Sequence, residues 1–196
     1  TALLEMIDGH IGNLARALRT NNSERAAFET AWMAHAITDG LTPAHHFPLE
    51  QAMAELRGGE GLETRTSILK KNLMKGDNGI ELIKNNWKFW GAKGMMTTHV
   101  AFEAGVASVV AYPRFKDAIP SNDEILQVKN HGYREYYLDQ VHAVASMKMY
   151  DNFSKSGWTT DLAWQTNHEL MPIIIKSVML GWLASIWKLE AEKSES

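Results

Sequence analysis

The stretch from His35 to His46, HAITDGLTPAHH, holds three of the chain's eight histidines and places an acid between two of them. His35 and Asp39 are four apart, so on a helix both side chains project from one face, one turn apart. Gly40 and Pro43 then break the helix, and His45 follows on the turn, six residues after Asp39. A carboxylate and two imidazoles converging at a helix end form an arrangement for a first-row metal, zinc above all. A second pair, His99 and Glu103 in THVAFEAG, repeats the i, i+4 spacing.

Such a pair on a solvated helix face is ordinary and is worth a few tenths of a kcal/mol. The surroundings argue for more here. His35 sits in FETAWMAHAI and His99 in MMTTHVAFEAGVASVV, both apolar. Polar groups on apolar helices need partners, because burying them alone costs several kcal/mol. One shared cation would satisfy both pairs.

The elements that must position these residues read as helices. Leu3, Ile7, Ile11, Leu14 and Leu18 have helical spacing, ended by Asn21-Asn22-Ser23. His10 lies beside that apolar face and reads as a packed or surface histidine. The next helix, capped by Asn22 or Ser23, is expected to bury Phe28, Trp32 and Ile37 and to deliver His35 and Asp39 at its C-terminal end. Pro48 opens a short amphipathic segment, and GGEG is a flexible break. Further helices are expected over 62–75 and 80–90. The stretch 95–111, nearly all small or apolar, is expected to be a central buried helix. One long helix is expected over 123–153, bent near Gly132, and a last one over 159–192, kinked at Pro172. MPIIIKSVMLGWLASIW falls short of about twenty residues and contains Pro172 and Lys176, so it reads as a core helix rather than a transmembrane segment. No strand alternation or repeat is present. The fold class is all-α, a single-domain multi-helix bundle.

A chain of 196 residues with 45% hydrophobic and 22% charged residues supports one substantial core. The net charge of -3 makes no case for duplex nucleic acid or an anionic membrane. Cysteine is absent, so any metal site rests on His and carboxylates. The first residues carry no signal-peptide pattern. Nothing speaks to oligomeric state.

His35, Asp39, Pro43 and His45, followed by His99 and Glu103, resemble the zinc-dependent phospholipase C superfamily, which includes the single-strand-specific zinc nucleases. The likeness covers roughly residues 1 to 110. It implies the phospholipase C type of helical bundle over 1–196, with a helical insertion at about 48–93. It also implies zinc, from one ion to three. His35 and Asp39 would bind one zinc, with Asp39 bridging to another and serving catalysis, and His45, His99 and Glu103 would hold a third. Metal-bound hydroxide would then hydrolyse a phosphate-ester small molecule or a phospholipid. A bacterial secreted or periplasmic setting goes with the resemblance.

Members of that group also use an N-terminal Trp and a further His, Asp and His upstream of the motif. Here Thr1 opens the sequence and only His10 precedes His35. The upstream part of the family fold lies outside this chain, or His142, His168 or Glu169 replaces those ligands, or the catalytic cluster has decayed. The alternative function is a non-catalytic metal-binding helical protein that kept the fold. An iron-carboxylate bundle would need Glu-x-x-His spacing and more carboxylates; neither pair has that spacing.

Overall fold

The computed structural model describes residues 2–194 apart from 62, 64, 65 and 117. All of its regular structure is helical, and no strand occurs among the described residues. The elements are α1 (Ala2–Arg19), α2 (Ser23–Gly40), a 3-10 turn (Pro43–His46), α3 (Leu49–Leu56), α4 (Ile68–Asn72), α5 (Gly79–Trp90), α6 (Met95–Val110), α7 (Asn122–His131), α8 (Tyr133–Ser146), α9 (Met149–Ser156), α10 (Thr160–Gln165), a π turn (Thr166–Leu170) and α11 (Met171–Ser194).

Helices α1 and α2 form an antiparallel hairpin, and α11 packs across both. The stripe Leu4, Ile7, Ile11 and Leu14 of α1 meets Met33 and Ile37 of α2 in the main core. Asn22 starts α2 by accepting from the Arg25 N–H, a cap worth about 1 kcal/mol. Three tyrosines of α8 complete the core. Tyr133 and Tyr137 stack with centroids 6.0 Å apart, and their hydroxyls donate to the carbonyls of Ser177 and Ile37. Burial pushes the phenols of Tyr136 and Tyr137 up to about 12.

Several sequence expectations are corrected. Phe28 and Trp32 are half-exposed rather than buried. They share a helical stripe with His35 and Asp39, while α2 turns Glu29, Met33, Ala36 and Ile37 inward. Helix α6 is not central: Phe102 is its buried residue and Val100 is half-exposed. Its composition is apolar on every side, so periodicity gave no direction for burial. The expected helix over 123–153 is three helices, broken at Gly132 (φ 92°) and at Lys148 (φ 52°), both left-handed positions. The expected helix over 62–75 is helical only from Ile68 to Asn72, and part of it lies outside the described residues.

The last helix passes through a π turn, where the Met171 N–H donates to the Thr166 carbonyl. Pro172 follows directly and has no N–H to give, so the wider turn sits where the α ladder would lose a bond. The stretch Thr160–Ala191 is long and apolar enough to cross a membrane; here α11 packs against α1, α2, α7 and α8.

A second, smaller core lies outside the main one. Met53, Met74 and Phe89 are buried together, flanked by Leu49, Leu56, Met95 and Met96. It ties the region 48–93 to the start of α6, the helix that carries His99.

Candidate metal centre

The turn that follows α2 is held by its own histidines. His45 Nδ1 donates to the Asp39 carbonyl at 3.0 Å, and His46 Nε2 donates to the Gly40 carbonyl at 2.9 Å. Both carbonyls belong to the last turn of α2, where the regular i+4 donors run out; that of Asp39 also accepts from the Thr42 N–H at 3.2 Å. Gly40 allows the close approach of α8: a Cβ there would lie 2.0 Å from the Tyr137 hydroxyl. These contacts fix the direction of His45, whose free edge points at α6.

Across that gap α6 presents His99 and Glu103. Glu103 Oε1 lies 3.1 Å from His45 Nε2 and 3.1 Å from His99 Nε2. The two imidazoles are parallel, with centroids 5.3 Å apart. One ligand atom from each of the three residues falls within 4.8 Å of the others. His99 is largely buried, and its Nδ1 has no hydrogen-bond partner among the described residues.

The tautomer of His45 follows from its neighbours. A backbone carbonyl only accepts, so Nδ1 carries the proton and Nε2 of the neutral ring is a bare lone pair. That lone pair faces a carboxylate oxygen, which also only accepts. The contact needs either a second proton on His45 or a shared cation. A second proton would put an imidazolium face to face with the His99 ring. A cation would satisfy both Nε2 atoms and the carboxylate together. Tetrahedral zinc with ligand bonds of about 2.0–2.1 Å separates its ligands by about 3.3 Å. Two of the three edges here, at 3.1 Å, are already near that value, and all three ligand atoms lie within 4.8 Å of one another. The Nδ1 bond of His45 to a carbonyl is the support a metal-bound histidine ordinarily has.

His35 and Asp39 stand beside this group, not in it. His35 Nε2 is 3.4 Å from Asp39 Oδ2, and Asp39 Oδ1 is 3.7 Å from His45 Nδ1, all partly exposed. His35 also packs edge-on against Trp32. The candidate replacement ligands lie elsewhere. His142 is exposed, His168 stacks on Trp164 and bonds its carbonyl, and Glu169 accepts from Gln165. His10 is paired with the buried Glu29.

One neighbour carried no sequence signal. The Tyr150 ring of α9 packs against His99, Phe47 and Phe102. Burial, with Glu103 nearby, raises its phenol above the ordinary value. Its place follows from the break at Lys148, which the expected continuous helix did not contain.

Two clefts open on His45. One, of about 400 Å³, is lined by Leu3, Leu4, Asp39, Tyr137, Leu138 and Val141 among others. The other, of about 500 Å³, runs past Phe47, Pro48 and Leu49 to His99. Comparison with family models, with curated proteins and with solved structures finds no match.

Proposed function

We propose that this protein is a metal-dependent hydrolase of phosphate esters, with His45, His99 and Glu103 holding one zinc ion. The observation that carries the reading is the convergence of two imidazole nitrogens on one carboxylate oxygen. Three protein ligands leave a fourth position open, as catalytic rather than structural zinc sites do. Zinc held there supplies a Lewis acid for a phosphoryl oxygen and lowers the pKa of bound water to about 7.

The chain's own residues do the rest. The Asp39 carbonyl keeps His45 in the tautomer that offers Nε2. The Asp39 carboxylate lines the 400 Å³ cleft with His45, where it takes up a proton from the attacking water. The apolar walls of both clefts suit an ester with a hydrocarbon part, a phospholipid included. The phospholipase C type of bundle and a role for His35 beside Asp39 belong to the same proposal.

The second reading, a non-catalytic metal-binding protein, is favoured by one observation. A single three-ligand group occurs among the described residues, and Asp39 and His35 lie outside it. Hydrolysis of a generic phosphodiester and of short-chain phosphatidylcholine, with zinc supplied, separates the two. The hydrolase reading expects activity that chelation abolishes and zinc restores. It also expects Asp39→Asn to keep its zinc and lose about 10²-fold or more in rate. Activity that survives both chelation and His99→Ala contradicts it; stoichiometric zinc with no turnover on either ester favours the second reading.

A further inference from the structure

Helix α5 is turned inside out. At 3.6 residues per turn, Asn85, Asn86 and Phe89 share one side, while Ile80, Ile83, Trp87 and Trp90 form a stripe about 80° wide on the other. The asparagine side faces protein. Asn86 Nδ2 donates to the Met74 carbonyl at 2.9 Å, its Oδ1 accepts from the Met74 N–H, and Asn85 Nδ2 donates to the Lys75 carbonyl at 2.7 Å. The apolar stripe faces out: Ile80 is 82% exposed, Ile83 69%, Trp87 70% and Trp90 46%. An amphipathic helix that half-buries its amides, leaves Trp87 open and ties down only the Trp90 N–H, to the Asn72 carbonyl, is built to be covered.

Charge says what covers it. Residues 68–93 hold Lys70, Lys71, Lys75, Lys84, Lys88 and Lys93 against Asp77 and Glu81, a local net charge of +4 in a chain of -3, and of these Lys75 pairs with Glu60 outside the stretch. All six lysines are exposed. Lys84 and Lys88 stand beside the apolar stripe on the helix. The negative net charge, which gave no case for an anionic membrane, averages over this patch and hides it.

We propose that α5 docks on an anionic phospholipid bilayer. Ile80, Ile83, Trp87 and Trp90 enter the interface, where indole rings are favoured, and Lys84 and Lys88 reach the phosphate and serine headgroups. A second copy of the chain fits worse, because two +4 segments would face each other across the contact. A short turn from Gly91 to Gly94 joins α5 to α6, which carries His99 and Glu103. The docking does not rest on the metal-centre reading.

Co-sedimentation of the full chain with vesicles tests it, with a chelator present so that metal plays no part. Vesicles of phosphatidylcholine alone are compared with a 7:3 mixture with phosphatidylserine. The expected result is partition into the mixed vesicles and about tenfold less into the neutral ones. Lys84→Glu with Lys88→Glu, and separately Ile83→Ser with Trp87→Ser, each lower that partition about tenfold or more while circular dichroism stays unchanged. Trp164→Ser, an exposed tryptophan on another helix, leaves it unaltered. Absence of sedimentation, equal partition of wild type and both double variants, or equal partition into the two vesicles overturns the proposal. So does a concentration-dependent dimer that Ile83→Ser abolishes in a protein that ignores both vesicles.

Discussion

Of the carboxylates flanked by histidine in this molecule, Glu29 and Glu103 are solved differently. Glu29 is fully buried between α1 and α2, and the positive charge it needs is built in. Arg25, one turn away, pairs with its Oε1, and His10 pairs with its Oε2. Glu103 lies at the surface of α6 with two imidazoles on one oxygen and, among the described residues, no Lys or Arg bonded to it. The first group is electrically closed, so it serves the hairpin. The second has no arginine or lysine of its own in that place, which is why we propose it as the metal site. Residue types alone did not separate the two; the presence of an arginine in the same shell does.

The largest expected effect breaks the closed group. Replacing both His10 and Arg25 by Ala leaves Glu29 buried without a partner, which costs about 3–5 kcal/mol. Urea unfolding in chelator reads that loss, and a change under about 1 kcal/mol would show that Glu29 reaches water. His45→Ala should be nearly silent in the same assay, because without metal its partners are partly exposed. Zinc should narrow that gap. At a free concentration near 100 times its dissociation constant it stabilises the wild type by about 2.7 kcal/mol and leaves His45→Ala unmoved. Equal stabilisation of both would place the ion elsewhere.

The alkaline limit should come from neither cluster. Burial first, and the Asp39 charge second, push the Tyr137 phenol up to about 12. A phenol whose folded value is raised contributes stability that is complete below about pH 10 and is lost as pH rises through about 12. Tyr137 also holds the end of α2 by donating to the Ile37 carbonyl at 3.2 Å. Tyr137→Phe should cost about 1 kcal/mol at neutral pH and make the unfolding free energy fall less steeply between pH 10 and 12. An identical alkaline slope in both proteins would remove the tyrosine from this account.

Much of the fold was readable, and the misreadings share a cause. Helical periodicity located α1, α2 and α5 to within a residue or two at most ends, because each has strong caps or breakers. Direction of burial was the weak point. Phe28 and Trp32 are as hydrophobic as any core residue, yet the stripe of α2 that packs is the one with Glu29 and Met33. Only the buried pairing of Glu29 with His10 and Arg25 makes that stripe acceptable inside. The same reversal recurs in α5, where asparagines satisfied by backbone carbonyls replace an apolar face. At the candidate site, spacing alone marked two His–acid pairs; the grouping of His45 with His99 and Glu103 came from the resemblance. No local signal distinguished the Asp39 carboxylate, which stays outside, from its carbonyl, which orients His45.

The smallest expected effect concerns the outlier. His35 contacts Asp39 and Trp32, so His35→Ala should change zinc affinity by less than about threefold. Outer-shell partners of a ligand cost 10–100-fold, and a loss in that range would draw His35 into the site.

The central claim is that one cation completes the group formed by His45, His99 and Glu103. Zinc bound per chain, measured by plasma emission after dialysis against micromolar zinc, tests it in wild type, His99→Ala and Glu103→Gln. One equivalent in the wild type, with loss of most of it in both variants, is the predicted result. An equal full equivalent in all three proteins would contradict it.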